Sequence, residues 1–234
     1  GCVLEMYSYR DLAASVTPRG NLSSCDILKL DSFLDSLEAL TQYSTYGVYF
    51  GCGHSIFEFI PRISSIITQQ LSEGATGAQC SEAYNNYKIL EFELCAWKPT
   101  GSEMTSDQVA AAIIYQNALL FYLQSAFYSF LDAPSLLSEI EARIGVCLPL
   151  LLSLSPSRLE GICLWPTMII GSCLRKDEDK KILSEGLERS VYKMKGVRNC
   201  LQLLELWEDD IVSAFGPQGL HYVMKKMGWN LCLS

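Results

Sequence analysis

Charge is scarce in this chain. Asp, Glu, Lys and Arg make up 19% of its 234 residues, against 49% hydrophobic. Intrinsic disorder requires the opposite balance, so it is excluded, and a large buried core is within reach. Basic runs are missing as well. Eighteen Lys and Arg face 26 Asp and Glu, a net charge of −8. Proteins that grip nucleic acid displace phosphate counterions with Lys and Arg, so this chain is not expected to contact DNA or RNA directly. Histidines number only two, His54 and His221, far apart in sequence. No G-x-S-x-G, P-loop, H-E-x-x-H or G-x-G-x-x-G occurs, so the sequence offers no catalytic residues and no nucleotide or metal motif. Period-two alternation of apolar and polar residues is hard to find, which argues against a sheet.

Ten cysteines are present, yet none forms a C-x-x-C. They are spread along apolar stretches instead of clustering as zinc ligands or stapling a short loop-rich chain. They read as reduced, mostly buried thiols acting as small hydrophobes, which implies the cytosol or nucleus. The N-terminus lacks a basic region followed by an apolar core, so no signal peptide is expected. It opens inside a helical stretch, Cys2 to Val16, the pattern of a fragment cut from a longer protein. Gln108–Leu131 carries no charge and is long enough to span a bilayer. It also holds Gln116, Asn117 and Gln124, and no Lys or Arg cluster flanks it. A buried central helix is therefore expected rather than a membrane span.

Helical periodicity dominates the rest. Ala83, Tyr87, Leu90, Leu94 and Trp97 recur at three- and four-residue steps in Ser81–Trp97. Leu183, Leu187, Val191 and Met194 do so in Asp177–Met194, and Val197, Leu201, Leu204 and Ile211 in Val197–Phe215. Each marks an amphipathic helix lying on a core. Asp177 is the expected N-cap of its helix, with Glu178 and Asp179 in the first turn, and Ser106-Asp107 the expected cap of the central helix. Pro134 suits a first helical turn and Gly196 a helix end. Pro61, Pro149 and Pro166 should break or kink the helices around Cys52–Leu71, Leu137–Leu154 and Leu159–Leu174. Ser72–Gln79, Lys98–Thr105 and, more weakly, Gly20–Asp26 read as loops between helices. The expected fold is all-α, a multi-helix array around an apolar central helix with no sheet, in a single domain over residues 1–234.

Candidate sites are few. A Cys–His pair in Gly51-Cys52-Gly53-His54 would point in different directions on a helix and forms no dyad. His54, Glu58 and Arg62 stand four residues apart and can share one face, either as a line touching a partner or as a solvated strip holding a helical ion pair. Glu205, Glu208, Asp209 and Asp210 surround Trp207, a contact for a basic partner or coactivator, or simply a solvated face. Tyr115, Gln116, Tyr122 and Phe127 on the central helix could line an apolar ligand pocket; ordinary core packing, with the amides satisfied by neighbouring helices, is the plainer account. Phe215-Gly216-Pro217-Gln218-Gly219 reads as a tight turn before a helix, Leu220–Met227, that carries His221 towards the same pocket.

Three blocks carry a family resemblance: Leu4-Glu5-Met6-Tyr7-Ser8-Tyr9-Arg10-Asp11-Leu12, Gly51 to Ser64 (GCGHSIFEFIPRIS), and Leu164-Trp165-Pro166-Thr167-Met168-Ile169-Ile170-Gly171-Ser172-Cys173-Leu174. Val197-Arg198-Asn199 and Leu203-Leu204-Glu205-Leu206-Trp207 follow in order. Their order and spacing resemble the second, shorter subfamily of the fungal-specific transcription factor domain, found C-terminal to a zinc-cluster DNA-binding module. The resemblance implies an all-α regulatory region of a nuclear transcriptional regulator of RNA polymerase II genes, with shuttling from the cytoplasm left open. Its partners would be a small apolar ligand, such as a sterol or metabolite, transcriptional coregulators, or a second copy of the chain. The six-cysteine zinc cluster is absent from this sequence, so no cofactor is expected here and zinc belongs to the missing module. The alternatives are a structural dimerisation or coactivator-docking module, and an α-helical enzyme with an apolar cavity. The enzyme would need convergent acidic pairs, or a histidine beside a nucleophile, inside that cavity.

Overall fold

The computed structural model describes residues 54–73, 82–99, 104–128, 133–154, 157, 159–190 and 216–226. Within them lie eight helices and no strand. They are α1 (His54–Phe57), α2 (Phe59–Glu73), α3 (Glu82–Ala96), α4 (Ser106–Ser125), α5 (Pro134–Ser153), α6 (Leu164–Gly171), α7 (Asp177–Arg189) and α8 (Gly216–Lys226). The first 53 residues, the 191–215 stretch and the C-terminal tail lie outside the described residues. So do the expectations for Cys2–Val16, Gly20–Asp26, Gly196 and the Val197–Phe215 helix.

The central helix is α4. Fourteen of its 20 residues are buried, on every side of the helix. It packs against α1, α2, α3, α5, α6 and α8, while α7 is carried on the outside by α5. Such a helix has no polar face to orient it, so its neighbours must supply the core all round. Its start differs from the expected Ser106-Asp107 cap. Thr105 is the N-cap, its hydroxyl accepting from the Gln108 amide at 3.3 Å while the Gln108 side chain accepts from the Thr105 N–H at 2.9 Å. This is a reciprocal capping box. The helix also stops earlier than Leu131, at Ser125, whose hydroxyl donates to the Tyr122 carbonyl at 2.7 Å. No helix among the described residues is long and apolar enough to cross a membrane.

The period-3.6 stripes locate the other faces. In α3, Ala83, Tyr87, Leu90 and Leu94 are buried and Trp97 half-buried just past the helix end. In α7, Leu183 and Leu187 are buried, but the helix ends at Arg189, before Val191 and Met194. Its N-cap is Lys176 in extended conformation, without a side-chain bond, and Asp177 is the first helical residue instead of the cap. Asp177, Glu178 and Asp179 still occupy the first turn, where the helix dipole favours negative charge.

The prolines behave in three ways. The break near Pro61 falls at Glu58, between α1 and α2, because a proline at 61 has no N–H to give the carbonyl of residue 57. Pro166 sits third in α6, within a first turn whose N–H groups need no intrahelical partner, so the break lies upstream in the 159–163 turns. Pro149 does not split its helix: α5 runs unbroken from Pro134 to Ser153. The carbonyl that Pro149 leaves unbonded belongs to Gly145, which is exposed, so water can meet it. Pro134 opens α5 as expected.

Gly216 corrects the tight-turn expectation. It adopts φ 73°, open to glycine at little cost, and is itself the first residue of α8. Its N–H donates to the Ser172 carbonyl at 2.8 Å, docking α8 onto the end of α6. Leu220 and Val223 then bury against the core.

Gly145 lies within α5, on the solvent side, and a Cβ there would meet nothing within 4 Å. Gly145→Ala is therefore expected to stabilise the chain by about 0.5–1 kcal/mol through helix propensity. Urea unfolding followed by circular dichroism would register it as a higher midpoint at unchanged slope.

Candidate functional site

The polar residues of α4 are where a site would be sought, because burying an amide without a partner is costly. Each reaches a different neighbour. Gln116 donates from Nε2 to the carbonyls of Leu94 at 2.6 Å and Trp97 at 3.0 Å, closing the C-terminal end of α3. Asn117 donates to the Ile113 carbonyl at 2.8 Å and accepts from Arg143 Nη1 of α5 at 3.1 Å. Arg143 in turn grips Glu139 at 2.8 and 3.1 Å. Gln124 donates to Glu91 Oε1 of α3 at 3.1 Å, while its own Oε1 is buried without a partner. The amides thus tie α3 and α5 to α4.

Glu91 is the hub on α3. Besides Gln124 it accepts from the Tyr87 hydroxyl and from Lys88 at 3.0 Å. Burial alone would raise its carboxyl, but these three donors outweigh burial and hold it below the ordinary carboxylate value. Burial, and then the bond to Glu91, push the Tyr87 phenol far above its usual value. Phe127 stacks on Tyr87 with centroids 4.5 Å apart, and the Tyr84 and Tyr128 hydroxyls meet at 3.2 Å. On the opposite side of α4, Tyr115 hydrogen-bonds the Ile162 carbonyl at 2.5 Å, and both Tyr115 and Tyr122 pack on Trp165 of α6.

The candidate ligand residues are therefore drawn apart. Tyr115 and Tyr122 face α6, whereas Gln116 and Phe127 face α3. His221 stands on α8 and His54 on α1, with side chains outside the described residues, as is all of Trp207. Glu58 and Arg62 are both exposed, but the helix breaks at Glu58. Arg62 pairs with Glu93 of α3 at 2.5 Å and lies over the Phe59 ring, rather than pairing with Glu58 along one helix.

Two cavities lie elsewhere, neither lined by any residue of α4. One, of about 270 Å³, opens between the C-terminal half of α5, the start of α6 and the end of α7. Leu151, Leu164, Leu183 and Leu187 form its walls, with Glu160, Cys163 and Arg189 as its ionisable residues among those described. The other, of about 230 Å³, is a polar cleft with Glu141, Arg175, Lys176 and Asp179 along it. Sequence periodicity points to the leucines of the first cavity only as core; nothing in the spacing of Glu160 singles it out. Among the described residues no group of three His, Cys, Asp or Glu is placed to hold a metal. Cys147, Cys163 and Cys173 are buried reduced thiols, and Cys95 is exposed. Burial pushes the Cys147 and Cys173 thiols up to about 12, against smaller opposing effects of Arg143 and Ser172.

A family model, the fungal specific transcription factor domain, matches residues 2–234. Comparison with curated proteins and with solved structures gives no match.

Two outcomes follow from this chemistry. At pH 8, some four units below a thiol at about 12, the thiolate fraction is on the order of one in ten thousand. Iodoacetamide should therefore modify Cys95 in the folded chain and spare Cys147 and Cys173, as peptide mass mapping would show. Glu91 carries a depressed carboxyl, so its contribution is complete above the unfolded glutamate value of about 4.3 and disappears as pH falls through the lower folded value. Glu91→Gln should weaken the chain at pH 7 and flatten the acid limb of its stability curve; a parallel acid limb in the variant would refute the hub.

Proposed function

The chain belongs to the family of the fungal specific transcription factor domain, and on that premise we propose that it senses an effector and hands its state to coregulators, leaving DNA contact to another module. The family has a regulatory role in transcription; effector sensing is the finer reading. The match over residues 2–234 carries the regulatory role. Physical features support it. A net charge of −8 opposes phosphate binding. The core around α4 forms one packed body, and α7 lies on its outside, over a cavity. A molecule that binds one placement of α7 better than another would shift the population between them.

The reading places the protein in the nucleus, with zinc confined to a separate DNA-binding module. It assigns no catalysis to the chain: among the described residues, Glu160, Cys163 and Arg189 are the ionisable groups that line the larger cavity, with no histidine beside the thiol. Glu58 and Arg62 lie on the surface, where a coregulator can reach them. The competing reading, a dimerisation module without a ligand, draws on Ile89 and Phe92 of α3, exposed at 56% and 75%.

Fusing residues 1–234 to an unrelated DNA-binding module in a fungal host, with a reporter gene, tests the proposal. Reporter output should depart severalfold from that of the module alone and respond to growth conditions. Output identical to the bare module under all conditions would sink it, and a constant output from an obligate dimer would favour the competing reading.

A further inference from the structure

We propose that the cleft between α5 and the start of α7 binds a free α-amino acid with a short apolar side chain. Its ammonium meets the Gly145 carbonyl and two carboxylates, and its carboxylate meets Arg175 and Lys176. Effector sensing would give this binding its consequence, because the cleft lies where α7 meets α5; the binding itself is tested apart from that reading.

The acceptor side begins with a proline. Pro149 has no N–H, so α5 supplies no donor from that position to the Gly145 carbonyl. Gly145 and Pro149 both line the cleft, which measures about 230 Å³. A helical carbonyl points along the axis towards the residue four further on, so this oxygen lies on the cleft wall. Gly145 is exposed, and a Cβ added there would meet nothing within 4 Å, which leaves the approach to the carbonyl open. Glu141, one turn earlier on α5, and Asp179, in the first turn of α7, add carboxylates. Arg175 and Lys176, just ahead of α7, bring the cations.

These charges do not use one another up. Arg175 Nη1 and Glu141 Oε1 stand 3.6 Å apart, beyond hydrogen-bond reach, with side chains 48% and 43% exposed. Among the described residues Lys176 and Asp179 form no ion pair with each other or across the cleft. Two cations and two carboxylates leave the cleft neutral in sum. An ion of one sign would meet as many like charges as unlike ones, whereas a zwitterion finds a partner for each end. The floor is apolar, formed by the buried Ile144 and Leu148, and a hydrocarbon side chain would cover it. A space of about 230 Å³ equals roughly eight waters at ~30 Å³ each, room for an amino acid of about five carbons.

The test uses the chain of residues 1–234 with L-norvaline, n-valerate and n-butylammonium near neutral pH and at equal ionic strength, read by ligand-detected NMR and thermal unfolding. Norvaline should bind saturably and raise Tm in a concentration-dependent way; the two singly charged probes should do neither at the same concentrations. Pro149→Ala returns an N–H to the Gly145 carbonyl. It should fold with a Tm at or above that of the wild type, since α5 already runs unbroken through this residue. It should also weaken norvaline about tenfold by occupying the acceptor. Arg175→Gln should weaken it by a similar factor from the carboxylate end, and serves if the first variant fails to fold. Equal binding of all three probes, binding of none, or wild-type norvaline affinity in either folded variant would overturn the proposal. Norvaline binding with an unresponsive reporter would count against effector sensing and leave the cleft standing; a responsive reporter without norvaline binding would do the reverse.

Discussion

Everything in this fold depends on α4 having no exposed side. A helix buried all round gains hydrophobic free energy from every turn, with Ala111, Ile114, Leu119, Leu120, Phe121 and Leu123 all fully buried. Truncating one such leucine costs about 2–5 kcal/mol in comparable cores. The same burial keeps water from Asn117 and Gln124 and restricts it at Gln116. Gln116, Asn117 and Gln124 therefore dictate where α3 and α5 must lie, since their partners are the Leu94 and Trp97 carbonyls, Arg143 and Glu91. Apolar packing supplies most of the stability, and the amides supply register. Sliding α3 by one residue along α4 would strip Gln116 and Gln124 of their α3 partners, which is a steeper penalty than repacking a few methyl groups.

That constraint explains which parts of the architecture were legible in the sequence. The buried character of the central stretch follows from its lack of charge, and the stripe Ala83, Tyr87, Leu90, Leu94 from its spacing, because both express burial, which a single sequence reports directly. What was missed depends on competition between neighbours. Thr105 takes the cap from Ser106 because it, and not Ser106, stands three residues before Gln108 and so completes a reciprocal pair. Pro149 spares its helix because residue 145 is an exposed glycine, a tertiary fact. Gly216 starts α8 instead of preceding it because the Ser172 carbonyl, 44 residues upstream, accepts its N–H.

The site was less legible than the fold. Aromatic and amide residues on a central helix look the same in sequence whether they line a pocket or close one. Here Tyr115 and Tyr122 are spent on α6 and Gln116 on α3. Glu160 carries no signal at all before folding, being one acidic residue in a short turn. It comes to line a cavity only once the leucines of three helices are folded beside it.

These facts together place any conformational response at the rim instead of the centre. Moving a helix against α4 would break bonds such as those of Arg143 to Asn117 and of Gln124 to Glu91 at the same moment as it opened the core. Moving α7 costs much less. It presents only Leu183 and Leu187 as buried residues, and Lys180–Asp177, Lys181–Glu185 and Arg189–Glu185 pair within the helix itself. Elements with few buried contacts are the ones that open first and shift most cheaply. A ligand with a few kcal/mol of differential affinity can reposition such an element, but not a saturated core. In this family member the core around α4 is therefore the costly part to rearrange and α7 the cheaper one.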